Sequence, residues 1–182
     1  SSTPLIVSSR CQCRPANNIT NGVNMRNCGT VFTIDIYLAA SDGVRVLRNI
    51  GQGSFTSLDP LGSDLGATRA CAVEDLDHDG HLDLLLVNGR THRHNTDDRK
   101  GRSFWDDYAE PNQIFLATGD GQFREFTGRG DPFVSTVEVS RALAVGDIDN
   151  DGDVDAVITN TAGRARIYMN ESTGPGHWLQ VR

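Results

Sequence analysis

The chain has little positive charge, few cysteines and no long apolar run, and each shortage removes a class of function. Lys and Arg number 17 against 24 Asp and Glu, a net charge of −7 over 182 residues. Phosphate backbones are held by clustered Lys and Arg, so no nucleic-acid partner is expected. No stretch reaches 18 consecutive apolar residues, so no membrane span is expected. Glycine-rich turns occur, but none leads into a helical pattern with a Lys-Ser/Thr pair, which argues against a phosphate cradle. No set of positioned base, nucleophile and open metal coordination can be assembled, so the chain reads as non-catalytic. It begins Ser1-Ser-Thr-Pro without a methionine, so any signal or transit peptide is expected to have been removed or to lie outside this sequence.

The four cysteines are unevenly placed. Cys11, Cys13 and Cys28 sit among Pro, Asn and Gly in the irregular first 28 residues. A disulfide from Cys11 or Cys13 to Cys28 would anchor a segment with little core of its own. Their spacing matches no common zinc finger, so a disulfide is expected there, with its pairing open. Cys71 lies in an apolar run and reads as a small hydrophobe with an inert thiol.

Against these shortages stands a repeated excess of carboxylate. Asp75-Leu-Asp77-His-Asp79-Gly80-His-Leu-Asp83 and Asp147-Ile-Asp149-Asn-Asp151-Gly152-Asp-Val-Asp155 share one nine-residue pattern. Side-chain oxygens at positions one, three, five and nine, with a backbone carbonyl from position seven, form the hard oxygen set that calcium takes. Glycine at position six lets the chain turn sharply. Four carboxylates in one turn repel one another, so each loop is expected to close only around a cation. An EF-hand would need a bidentate glutamate at position twelve and flanking helices. That position is Leu86 in one copy and Ile158 in the other. Both lie in short apolar runs, Leu84-Leu85-Leu86-Val87 and Ala156-Val157-Ile158-Thr159, which end at Asn88 and Asn160 and read as buried strands.

The likeness extends beyond the acidic strings. Thr68-Arg69-Ala70-Cys71-Ala72-Val73-Glu74 and Ser140-Arg141-Ala142-Leu143-Ala144-Val145-Gly146 precede them, and the offset is 72 residues both from Asp75 to Asp147 and from Arg69 to Arg141. Downstream, Ile114-Phe115-Leu116 runs into Gly119-Asp-Gly121-Gln-Phe123, and Ile167-Tyr168-Met169 into Gly174-Pro-Gly176-His-Trp178. The glycines of these turns are expected at positive φ in a hairpin. A third unit lies upstream, where Asp35-Ile36-Tyr37-Leu38-Ala39 matches the strand after the string and Val44-Arg-Val46-Leu47 leads to Gly51-Gln-Gly53-Ser-Phe55. With Asp35 as position nine, the earlier ligand positions fall on Asn27, Gly29 and Val31, so this unit is expected to hold no ion.

Repeats of this form resemble the FG-GAP or VCBS family, whose units read as a small-residue strand, a D-x-D-x-D-G-x-x-D loop, an apolar strand and a strand ending in G-D-G-x-F. The string from Ser140 to Asp155, the strand Ala165-Arg-Ile-Tyr-Met-Asn170 and the closing Gly176-His-Trp-Leu-Gln-Val181 are similar to the last repeat of the cartilage acidic protein type and the start of its ASPIC/UnbV tail. The resemblance covers about residues 30–182. It implies an all-β chain of integrin-alpha-like β-propeller blades, about three in number and so an incomplete propeller. It implies an extracellular or other exported compartment, such as a periplasm or an organelle lumen. Two calcium sites are implied: Asp75, Asp77, Asp79 and Asp83 with the His81 carbonyl, and Asp147, Asp149, Asp151 and Asp155 with the Asp153 carbonyl.

The expected organisation is an irregular Cys-containing segment at 1–29 and a degenerate unit at 30–66. A unit at 67–139 with an insertion at 89–112 follows, then a unit at 140–182 running into an UnbV-like tail. A closed propeller has about four to eight blades, and stacked repeats need covered ends. A protein partner or further blades are therefore expected to complete the fold.

Smaller motifs add candidate sites. Asn18-Ile-Thr20 and Asn170-Glu-Ser172 are glycosylation tripeptides. Arg129-Gly130-Asp131 is similar to the integrin-binding sequence of adhesive matrix proteins, and its bland reading is an accidental tripeptide between repeats. The insertion carries His92, His94, Phe104, Trp105 and Tyr108, and it is expected to be a partner surface first, a disordered segment second and a metal site third. The function expected is a non-catalytic, calcium-stabilised structural or protein-interaction module. Two alternatives stay open: an accessory subunit docked in a large assembly, which includes membrane-associated ones, and a lectin-like or adhesion module whose aromatics stack on glycans.

Overall fold

The computed structural model of the chain describes residues 5–11, 32–40, 43–58, 61, 68–93 and 103–172. Leu5–Cys11 (β1), Phe32–Ala40 (β2), Gly43–Gly51 (β3) and Ser54–Ser57 (β4) form an antiparallel sheet in that order. Thr68–Glu74 (β5) and Asp83–Asn88 (β6) begin a second sheet. The chain then makes a 3-10 turn at Phe104–Tyr108 and a two-residue strand, Glu110–Pro111 (β7). Gln113–Ala117 (β8) and Phe123–Glu125 (β9) complete the second sheet in the order β5-β6-β8-β9. After a one-turn helix, Pro132–Ser135 (α1), Val137–Glu138 (β10) pairs antiparallel with β7. Ser140–Gly146 (β11), Asp155–Asn160 (β12) and Arg166–Tyr168 (β13) form a third antiparallel sheet. The fold is all-β, built of separate blade-like sheets with no closed barrel among the described residues, as the sequence implies.

The repeat is kept down to the register. Cys71 pairs with Leu86 and Val73 with Leu84, while 72 residues on Leu143 pairs with Ile158 and Val145 with Ala156. Both pairs of strands carry a bulge at the same place, between Thr68 and Ala70 and between Ser140 and Ala142. The strand-ending asparagines make matching bonds as well: Thr68 Oγ1 donates to Asn88 Oδ1 (3.0 Å) and Ser140 Oγ to Asn160 Oδ1 (2.9 Å).

Alternating side chains explain why the sheets stack. In the second sheet Cys71, Val73, Leu84, Leu86 and Phe115 point to the first sheet, where they meet Tyr37, Ala39, Val44 and Val46. The residues between them, Ala72, Leu85 and Val87, point the other way and meet Ala156, Ile158 and Phe133. Every residue of β6 is therefore buried, as expected of a strand covered on both faces. β11 instead alternates between covered and exposed positions, because among the described residues only one face of the third sheet is covered. Its other face carries Ala142, Ala144, Val157, Thr159 and Ile167, the last 61% exposed. By register these are the counterparts of Ala70, Ala72, Leu85, Val87 and Ile114, the side chains with which the second sheet meets the third.

Two local features refine the sequence expectations. In the β8–β9 hairpin Gly119 and Gly121 lie at φ 79° and 91°, but in the β3–β4 hairpin the left-handed residues are Gln52 (53°) and Gly53 (73°). Gly51 ends β3 rather than turning the chain, because a two-residue hairpin of this hand needs two adjacent left-handed residues. Gly89, just after β6, is required for a different reason. A Cβ there would lie 2.8 Å from the Ser140 carbonyl oxygen, where the second and third sheets approach. Arg141 seals the same junction by donating to the carbonyls of Gly89 (3.0 Å) and Arg90 (3.1 Å).

Candidate metal centre

The acidic strings connect β5 to β6 and β11 to β12, and their carboxylates fold each loop through the same five hydrogen bonds. In the first loop Asp75 Oδ2 accepts from Gly80 N (3.0 Å), Asp77 Oδ1 from Asp79 N (3.3 Å) and Asp79 Oδ1 from His81 N (2.7 Å). Asp83 closes the loop with both oxygens, accepting from Leu76 N (3.0 Å) and from Ala117 N at the end of β8 (2.8 Å). In the second loop Asp147 accepts from Gly152 N (3.2 Å), Asp149 from Asp151 N (3.2 Å) and Asp151 from Asp153 N (2.9 Å). Asp155 accepts from Ile148 N (2.8 Å) and Asn170 N (2.9 Å). Gly80 and Gly152 take positive φ at position six, 86° and 97°, and so do His78 (58°) and Asn150 (65°) at position four. Asn and His are among the residues that tolerate this region.

The loops bring carboxylates together. One oxygen each from Asp75, Asp77 and Asp83 lies within 4.8 Å of the others, and so does one each from Asp147, Asp149 and Asp151. Asp79 and Asp155 stand outside these groups. Burial pushes the Asp83 carboxyl up to about 6; the Ala117 and Leu76 N–H groups work against that rise, and Asp77 and Asp79 add to it. Oδ1 of Asp75 is shut off from solvent and accepts no hydrogen bond. Since buried carboxylate oxygens are ordinarily hydrogen-bonded, this atom, set among other carboxylate oxygens, fits a cation.

Position nine has a second role that the sequence did not disclose. In the first sheet, where no acidic string precedes the strand in sequence, Asp35 Oδ1 accepts from Asn49 N (2.8 Å). By register Asn49 is the counterpart of Ala117 and Asn170. This aspartate thus ties its strand to the neighbouring one whether or not an acidic string precedes it.

The two loops also touch each other. His78 Nε2 lies 2.7 Å from Asp153 Oδ1, and Asn170 Nδ2 donates to the Leu76 carbonyl at 2.9 Å. The Asn170 amide, a candidate glycan acceptor, is therefore engaged between the loops.

The remaining candidates are dispersed. Cys13, Cys28, Asn18 and His94 lie outside the described residues, as does the side chain of Cys11. Cys71 is buried in the first core, and burial pushes its thiol up to about 12. Gly130 turns at φ 87°, Arg129 is exposed, and Asp131 caps α1 by accepting from Phe133 N at 2.9 Å. Phe104, Trp105 and Tyr108 pack against one another with ring centroids 5.1 to 5.9 Å apart on a turn capped by Ser103. Phe104 stays 57% and Trp105 38% exposed. Arg93 lies over the Phe104 ring and pairs with the buried Asp107 at 2.8 Å.

Residues 33–86 match the family model of the FG-GAP-like repeat, a stretch that runs from β2 through the first acidic loop into β6. No curated protein matches the chain. The family match supports the FG-GAP resemblance at the level of the repeat. Among the described residues no helix is long and apolar enough to cross a membrane.

Proposed function

We propose that the chain is a non-catalytic, calcium-stabilised module of propeller-type blades, serving as a structural or protein-interaction element in an exported compartment. The observation that carries this reading is the unpartnered Asp75 Oδ1 beside Asp77 and Asp83. A buried charged oxygen is costly unless something compensates it, and an all-oxygen set of this kind suits a hard divalent ion. Asp75, Asp77, Asp79 and Asp83 with the His81 carbonyl would hold one ion, and Asp147, Asp149, Asp151 and Asp155 with the Asp153 carbonyl the other. Bound calcium supplies positive charge and no chemistry. In the first loop, unit charges at the 4.8 Å outer limit of the carboxylate group repel by about 3.5 kcal/mol at an effective dielectric of about 20, and that repulsion is what the ion offsets.

Calcium is frequent in FG-GAP repeats, which are typically extracellular, and this supports both the ion and the compartment. A closer kinship with the cartilage acidic protein type rests on the string from Ser140 to Asp155 and the closing residues 176–181. The interaction role rests on the face of the third sheet that no described residue covers. Because its side chains are the counterparts of those that join the second sheet to the third, it suits another blade-like sheet presenting aliphatic side chains.

Isothermal titration of chelator-stripped protein with calcium tests the reading. Two ions should bind per chain, and no binding at millimolar calcium would remove it.

A further inference from the structure

We propose that the two acidic loops take up their ions as a coupled pair, with Asn170 and His78 as the positioning residues that join them; this rests on the calcium reading above. The position-nine aspartates of the two loops are linked by three consecutive contacts. Asp155 Oδ1 accepts from Asn170 N, Asn170 Nδ2 donates to Leu76 O, and Leu76 N donates to Asp83 Oδ2. A second link runs between position four of the first loop and position seven of the second, from His78 Nε2 to Asp153 Oδ1. The backbone N of that same Asp153 donates to Asp151 Oδ1, so the link ends on the segment that arranges the second loop's carboxylates.

Both residues depart from the repeat at the place where the loops meet. The counterpart of Asn170 in the second sheet is Ala117, which has no side-chain amide, and the counterpart of His78 in the second loop is Asn150. An ion in one loop fixes the backbone from which these contacts spring. The other loop then has less conformational freedom to lose when its own ion binds, which raises its affinity. Neither link needs a change of fold, and both span the junction between sheets that the core already holds.

The experiment follows calcium binding at pH 7.5 loop by loop, from the amide signals of Gly80 and Gly152, whose N–H groups donate to Asp75 and Asp147. Asp149→Ala disables the second loop without touching His78 or Asn170. The first loop of the wild-type chain is expected to bind calcium about 5-fold or more tightly than the first loop of the Asp149→Ala chain, the usual lower end of such coupling. In the Asn170→Ala, His78→Asn background, where the shorter amide no longer reaches Asp153, that ratio should fall to within about two-fold of one. If Asn170 and His78 merely support the fold, both affinities shift together and the ratio survives, which overturns the proposal. Coupling is reciprocal, so Asp77→Ala read at the second loop must give the same factor, and this arm decides the matter should Asp149→Ala not fold. Two ions bound with a ratio of one overturns the coupling alone. No ion bound to any chain sinks the calcium reading and the coupling with it.

Discussion

Removing the position-nine carboxylate unit by unit should separate the work of holding strands from that of holding an ion. Asp83 is fully buried and accepts two backbone N–H groups, at 2.8 and 3.0 Å. A hydrogen bond to a charged acceptor contributes about 1.5–3 kcal/mol, so Asp83→Ala, which orphans both donors, should cost about 3–6 kcal/mol. The lower half of that range is the better guide, because burial already disfavours the charged form, with the carboxyl pushed up to about 6. Asp35 accepts one such bond, from Asn49 N, so Asp35→Ala should cost about 1.5–3 kcal/mol. The calcium dependence of these costs should differ. Asp83→Ala also removes an ion ligand, so its cost should be larger in calcium than in chelator, whereas the cost of Asp35→Ala should be the same in both. Denaturant unfolding under the two conditions measures this, with Asp83→Asn as the milder variant if the alanine chain does not fold. The reasoning is refuted if Asp35→Ala becomes calcium-dependent or if Asp83→Ala costs the same with and without the ion.

Two further outcomes follow from local geometry. Gly119→Ala should destabilise more than Gly80→Ala. Both glycines sit at positive φ, which costs a side chain roughly 1–2 kcal/mol, but at Gly119 a Cβ would also meet His81 Nε2 at 2.7 Å while at Gly80 it meets nothing; thermal melts of the two variants check the order. Cys71, with its thiol pushed up to about 12, should resist alkylation at pH 8.5, where an ordinary thiol is about half ionised. Its native pKa lies above the unfolded one, so the thiol's contribution to stability is intact below about pH 8.5 and is lost as pH rises toward 12. Peptide mapping after iodoacetamide treatment, native and unfolded, reads the protection, and rapid native labelling would contradict it.

Much of this architecture was legible because its signals are local. The carboxylate spacing, the glycine at position six and the apolar runs after each loop mark strand-loop-strand units without reference to the rest of the chain. The unread parts depend on what lies across a sheet. Leu84–Val87 and Ala156–Thr159 look alike as sequences, yet among the described residues only the first is covered on both faces, because the second and third sheets differ in their neighbours. Position four turns left-handed in both loops, at His78 and Asn150; His and Asn tolerate that region without requiring it, so neither residue marks the turn in the sequence. The tie made by Asp35 has no local signal, because its partner Asn49 lies on the neighbouring strand 14 residues away. The contacts of His78 with Asp153 and of Asn170 with Leu76 join residues 75 and 94 positions apart, and only the stacking of sheets brings them together.

The calcium reading is tested most directly by the melting temperature of the unaltered chain in calcium and in chelator. An ion at about one hundred times its dissociation constant stabilises a site by about 2.7 kcal/mol, so two sites should raise Tm by roughly 10–20 °C in a chain of this size. An unchanged Tm would contradict the claim that these loops are held by an ion.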